Sequence, residues 1–209
     1  FKWVRHATER PDGIWRTDYD DSAWDTMPVP GIWELNGYGD PVYVNVGYAW
    51  RGNFRNDPPH VPDTENHVGS YRRTFDVPVG WAGKQVTLSI GSATSNVYVW
   101  INGRFVGYSE DSKLAAQFDV TKYLRPGENL VVLQIYRWSD GTYLEDQDFW
   151  RLSGIARSVE LVARDRAHLE DVRVTTALDA DYRDAVLAVE TRTTPQVKSL
   201  ALTLRDAAG

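Results

Sequence analysis

The 209-residue sequence contains no cysteine, a single methionine, and no apolar run near the roughly 20 residues that a membrane span needs. Without cysteine there is neither a disulfide framework nor a thiolate site, and cysteine usage gives no indication of redox compartment. The chain opens at Phe1 with no Met and no basic stretch leading into an apolar one. The expectation is therefore a soluble protein, cytoplasmic or periplasmic in a bacterium, with any signal peptide removed and no membrane partner. Positive charge is also scarce, the formal net charge being −6. Arg72 with Arg73 and Arg151 with Arg157 are too scattered to make the clustered basic face that a nucleic acid requires, so a nucleic-acid partner is excluded. His60 and His67 form no metal-binding pattern with another His or Cys and read as loop residues.

Aromatic residues, in contrast, are plentiful: nine Trp and eleven Tyr favour strands and ligand platforms over helices. The first seventy residues are rich in Trp, Asp, Gly and Pro without a clean period, as in an irregular segment wrapped over a regular body. Within it, Asp20-Asp21-Ser22-Ala23-Trp24 reads as a short capped turn anchored by Trp24. Regular strands are expected from Tyr71, where Tyr71, Arg73 and Phe75 alternate with Arg72 and Thr74, and again where Val86, Leu88 and Ile90 alternate with polar residues. Asn102-Gly103 between two apolar runs predicts a hairpin, because both central residues of a type I′ turn need φ > 0. After the turn at Arg125-Pro126-Gly127-Glu128, the apolar run over 130–136 predicts a strand buried on both faces. A further strand over 158–163 completes a set of short strands separated by turns, the signature of a jelly-roll sandwich spanning 1–165.

Beyond it, 169–175, 185–191 and 200–205 alternate like the opening strands of an immunoglobulin-like sandwich occupying 166–209. That fold needs about seven strands and on the order of 100 residues, so the second domain is expected to be incomplete. An incomplete sandwich leaves apolar faces and strand edges uncovered.

The densest chemistry lies in Arg137-Trp138-Ser139-Asp140-Gly141-Thr142-Tyr143-Leu144-Glu145-Asp146-Gln147-Asp148-Phe149-Trp150-Arg151, where acids and amides sit among aromatic rings immediately after a strand. Carboxylates and amides bond sugar hydroxyls while aromatic faces take the C–H surface, but a buried polar corner has the same composition. Asp146 and Asp148 on one side of an extended segment would lie about 7 Å apart, within the range of an inverting glycosidase pair. The competing reading is that Glu145, Asp146 and Asp148 hold Arg151 and Arg157 in ion pairs that fix the corner. Trp138, Tyr143 and Trp150 read as core or domain-interface residues in preference to sugar platforms.

That stretch closely resembles the N-terminal domain of family 2 glycoside hydrolases, in particular the large bacterial β-galactosidases. Three other blocks agree with it in order: Val29-Pro30-Gly31-Ile32-Trp33-Glu34, Gly39-Asp40-Pro41-Val42-Tyr43-Val44-Asn45-Val46-Gly47-Tyr48, and Gly103-Arg104-Phe105-Val106-Gly107-Tyr108-Ser109-Glu110-Asp111-Ser112. The resemblance covers residues 20–165 well and implies a sugar-binding domain of a retaining β-galactosidase. The acid/base and nucleophile glutamates of such enzymes, and a magnesium site, lie on a barrel domain whose motifs do not occur here, so this chain alone is expected to be inactive. Asp140 corresponds to the Asp that contacts the galactose and ligates sodium, and Asn45 to the Asn that contacts the sugar hydroxyls. Val46 is implied beside Asn45, lining the pocket by its backbone. A carboxylate can bind a hard cation while accepting from a hydroxyl, and an amide both donates and accepts. Against these roles stand a simple turn at Asp140-Gly141 and a strand cap at Asn45. The segment 48–66 departs most from the family pattern and borders the site. The implied partners are a β-galactoside, the remaining domains of the same polypeptide, and further copies of the parent in a homo-oligomer.

Three readings compete with that one. The β-glucuronidase and β-mannosidase relatives share the domain plan. A free-standing carbohydrate-binding module is a second possibility, and a purely structural or assembly domain a third.

Overall fold

The computed structural model describes residues 1–45, 47–50, 54–145 and 148–207. The strands in chain order are β1 (Lys2–Val4), β2 (Gly31–Ile32), β3 (Val42–Val44), β4 (Val68–Val77), β5 (Gln85–Ile90), β6 (Val97–Ile101) and β7 (Arg104–Ser109). They continue as β8 (Ala116–Asp119), β9 (Gly127–Tyr136), β10 (Phe149–Arg151), β11 (Gly154–Ile155), β12 (Val159–Arg164), β13 (Leu169–Leu178) and β14 (Ala185–Thr193). A single α-helical turn, α1 (Thr142–Glu145), follows β9. The described chain is therefore all-β, as the composition implies. Among its described residues no helix is long and apolar enough to cross a membrane.

One sheet runs β1-β4-β9-β6-β7 and a second β12-β5-β8. The central β9 shows why they form a sandwich. On one face Leu130 and Val132 pack with Ile14 of the N-terminal segment, and Tyr19, Trp24 and Trp100 close over them. On the other, Val131 and Leu133 look across a groove shared with Leu88 of β5 and Leu161 of β12. Burial on both faces is what the apolar run over 130–136 predicts. The N-terminal segment does wrap the first sheet, and Arg72 clamps it there, bonding Asp21 Oδ2 at 2.7 Å and the carbonyls of Ile14 and Arg16. The Asp20–Trp24 turn is present, with Ser22 N–H donating to Asp20 Oδ1 at 3.0 Å.

The β6–β7 hairpin turns through Asn102 at φ 50° and Gly103 at φ 81°, both in the left-handed region, as the Asn-Gly pair requires. Asn102 also ties the turn to β9, since Leu130 N–H donates to its Oδ1 at 2.9 Å and its amide donates to Asn129 Oδ1 at 2.7 Å. Two features differ from expectation. Short strands already occur within the first seventy residues, because β2 and β3 find partners late in the chain at β11 and β10, and β4 begins at Val68, ahead of Tyr71. The alternating segment 200–205 carries no strand. Alternation makes a segment competent for a ladder, but a strand also needs a neighbour, and β13 and β14 pair only with each other.

Two compact units result: one of residues 1–82 and 86–162, the other of 83–85 and 163–209. The second is a hairpin of β13 and β14, pinned at its base by Thr194, whose Oγ1 donates to Arg166 O at 2.6 Å and accepts from His168 N–H at 3.1 Å.

Candidate functional site

Beyond Tyr136 the chain leaves the sheet under tight control. Arg137 N–H donates to His67 O at 2.8 Å. The buried Asn66 side chain then holds Trp138 at both ends of its peptide, accepting from Trp138 N–H at 2.8 Å and donating to Trp138 O at 3.0 Å. Ser139 N–H donates to Thr142 Oγ1, and Thr142 N–H returns to Ser139 O, which closes the entry to α1. Asp140 sits at that entry. Its carbonyl accepts from Tyr143 N–H at 3.1 Å while its side chain remains exposed. The turn expected at Asp140-Gly141 thus forms in the backbone, with the side chain exposed.

The neighbour of that carboxylate is Glu110, just beyond β7. Burial, followed by a hydrogen bond and repulsion from Asp140, lifts the Glu110 carboxyl above its usual range. Tyr108 hydroxyl donates to Glu110 Oε1, Asn96 amide donates to the Tyr108 hydroxyl at 3.3 Å, and Tyr136 N–H donates to Asn96 Oδ1 at 2.9 Å. A polar chain therefore runs from the end of β9 through β6 and β7 to Asp140. Glu110 lies in one of the four blocks that resemble the family, yet nothing in its local sequence indicates proximity to a residue thirty positions away.

Two of the remaining acids take neutral donors. Glu145 accepts from Ser112, from its N–H at 2.9 Å and its hydroxyl at 2.5 Å. Asp148 accepts from the Tyr43 hydroxyl at 2.5 Å, and Arg157 donates to the carbonyls of Gly91 and Lys113. Asp146, and with it the Asp146/Asp148 spacing, lies outside the described residues.

Asn45 is exposed at the end of β3, which pairs antiparallel with β10 so that Val44 faces Phe149. No hydrogen bond joins Asn45 to Asp140 among the described residues, and Val46 lies outside them. Trp138 is buried and Tyr143 half-buried. Trp150 is not packed: it is 56% exposed, opposite Tyr43 at 51%, with ring centroids 5.6 Å apart on the outer face of the β3–β10 ribbon. Cross-strand pairing places the two rings on the same face, which no other described element covers.

The divergent segment 48–66 packs on this corner. Tyr48 stacks on Trp50 at 5.1 Å, and both meet the Tyr143 ring edge-on. Trp50 also meets Trp138 at 5.6 Å, and Tyr143 hydroxyl donates to His60 O at 2.6 Å. The segment therefore buttresses the helical turn that follows Asp140.

Beneath the site lies a buried charge cluster absent from the sequence reading. Glu34, fully buried, accepts from Ser153 N–H at 2.9 Å and lies 3.9 Å from the buried Arg137 guanidinium. Arg137 bonds His67 Nδ1 at 3.1 Å and the carbonyls of Asp40 and Arg151. His67 is a loop residue, as expected, but not an exposed one. It is buried at the foot of β4, and burial followed by the Arg137 charge pushes its pKa down to about 4. The folded state then resists a proton that the unfolded chain accepts near pH 6.5, so stability is full above about 6.5 and falls as pH drops toward about 4. Urea unfolding of this chain at pH 7 and pH 5 should show the loss, and His67→Gln should flatten that slope. An equal slope in both proteins would assign it to other groups.

Comparison with known proteins decides the family. Residues 1–165 match the model of the glycosyl hydrolases family 2 sugar-binding domain. The chain belongs to that family. It is 44% identical over 191 residues to a β-galactosidase of Priestia megaterium, covering 90% of this chain and 18% of that protein. It is 42% identical over 201 residues to a β-galactosidase of Lactobacillus delbrueckii subsp. bulgaricus, covering 95% and 20%. The family 2 chain thus spans about a fifth of the length of these relatives. Among solved structures, a Bacteroides uniformis β-glucuronidase superposes with a TM-score of 0.67 over 90% of this chain and 20% of its own, at 22% identity, a likeness of fold.

Proposed function

We propose that this family 2 domain is the sugar-binding part of a retaining β-galactosidase, completing an active site whose catalytic glutamates and magnesium reside on another domain. The observation that carries this reading is Asp140: an exposed carboxylate on a backbone fixed by Asn66 and Thr142. A protein that holds an unpacked acid this firmly has positioned it for something outside the described chain. Asp140 accepts from galactose hydroxyls, and Asn45, with Val46 beside it, bonds the same ring, so both contribute by positioning and not by proton transfer. The carboxylate is also a hard oxygen donor suited to sodium. The remaining sodium donors would come in part from the other domains of the parent. The strands of the second unit open an immunoglobulin-like domain. The parent is a homo-oligomer.

The galactosidase reading is favoured over a glucuronidase one because relatives at 41–45% identity carry the former name, whereas the solved glucuronidase structure at 22% shares only the fold. In the parent, Asn45→Ala should lower kcat/KM for a nitrophenyl β-galactoside about tenfold or more, by removing one amide that both donates and accepts. Unchanged kinetics would remove Asn45 from the site, and higher turnover of the matching β-glucuronide would overturn the substrate class.

A further inference from the structure

The β3–β10 ribbon has two chemically distinct faces, and its register sets them. Val42 opposes Arg151 and Val44 opposes Phe149 on one face, where Arg151 is buried and the other three are half-buried. Tyr43 opposes Trp150 on the other face, where both rings are more than half exposed.

That outer face carries more than two rings. Tyr43 hydroxyl donates to Asp148 Oδ1 at 2.5 Å, which brings the exposed Asp148 carboxylate alongside them. The bond raises the pKa of the Tyr43 phenol, so the hydroxyl stays a donor to Asp148. A carboxylate has several acceptor sites, so Asp148 can accept from Tyr43 and from a second hydroxyl at once. Asn45, also exposed, follows Tyr43 by two positions, the step that returns an extended chain to the same face after about 7 Å. Within the two strands the outer face bears neither an aliphatic side chain nor a cation. A protein partner is ill suited to such a face, because the core of a protein interface is depleted in Asp. A pyranose matches it, presenting a C–H face to aromatic rings and a rim of hydroxyls to a carboxylate and an amide.

We propose that the outer face of the β3–β10 ribbon is a subsite for the sugar ring joined to the galactose, with Trp150 and Tyr43 against its C–H face and Asp148 accepting from one of its hydroxyls. The proposal rests on the assignment of Asn45 to the galactose, because Asn45 is what joins this face to that site. Trp150 is then a specificity-determining residue, and the favoured substrates are β-galactosides whose aglycone is itself a pyranose.

Kinetics of the parent on two substrates that differ only in the aglycone test this: galactosyl-β-1,4-glucose and methyl β-galactoside. Trp150→Ala should lower the ratio of their kcat/KM values, disaccharide over methyl galactoside, about tenfold, because binding energy from the second ring is available to only one of them. Trp150→Phe, which keeps a ring, should restore most of that ratio. Asn45→Ala should lower both values alike; if it changes neither, the galactose assignment fails while the Trp150 ratio still decides the subsite. If the parent hydrolyses β-glucuronides instead, the same ratio is read from a glucuronosyl-glucose and methyl β-glucuronide. An unchanged ratio in Trp150→Ala would overturn the proposal, and an accompanying fall in Tm or change in oligomer size would assign the face to a domain or subunit interface.

Discussion

Asp140→Ala in the parent glycosidase is expected to lower kcat/KM on a β-galactoside about a thousandfold, close to 4 kcal/mol of transition-state stabilisation, without unfolding this domain. The size follows from the proposed role, in which a charged acceptor bonding sugar hydroxyls would act where water is excluded and each such bond is stronger than in solution. The lack of a folding penalty follows from exposure: the Asp140 side chain packs against no core, and its carbonyl, which the substitution keeps, is what α1 uses. Asp140→Ala also removes the repulsion that raises the Glu110 carboxyl, so Glu110 should titrate lower in the variant. Asp140→Asn should fall between, retaining an acceptor without the charge. Steady-state kinetics over a sodium series, paired with thermal unfolding, measures these effects separately. Turnover within tenfold of the unaltered enzyme would refute the binding role. A large loss of Tm would instead mean that Asp140 acts through the fold.

Arg137→Ala should have the opposite profile, a loss of about 3 to 5 kcal/mol in folding stability, because it leaves the fully buried Glu34 without its cation and His67 Nδ1 without its donor. Glu34 would keep only the Ser153 N–H. A buried unpaired carboxylate relieves itself by taking up a proton, so the defect should lessen at acid pH, where His67 in turn becomes costly. Glu34→Leu with Arg137→Met should recover much of the loss by replacing a buried ion pair with apolar packing. Urea unfolding at pH 7 of the original, Glu34→Leu, Arg137→Met and the double variant gives the cycle, and an Arg137→Ala protein within 1 kcal/mol of the original would refute a structural role for the cluster. Because Arg137 also caps the strand that delivers Asp140, kinetics of the parent carrying the double substitution would show whether the cluster supports the site only through folding.

The elements legible in the sequence are those whose cause is local. Asn102-Gly103 turns the chain because two adjacent residues tolerate positive φ, and 130–136 is central because its residues are apolar on both faces. Asp140 and Asn45 stood out because their blocks occur in a recognisable order. The third alternating segment of the second unit did not form a strand, since alternation describes one chain whereas a ladder requires two. Of the two roles expected for Trp150, core or domain interface, the register of β3 against β10 excludes the core of this unit by placing the ring outward beside Tyr43.

The amino-acid order by itself determined the all-β class, the hairpin, the central strand and the family to which residues 1–165 belong. Only the tertiary structure decided that Glu110 abuts Asp140, that Asn66 holds Trp138, and that Glu34, Arg137 and His67 share one buried cluster. These contacts join residues from thirty to more than one hundred positions apart, across β-sheet neighbours that are distant in sequence. Backbone preferences act over a few residues and leave a signature in composition, whereas burial and partner choice are set when the sheets close and water is expelled.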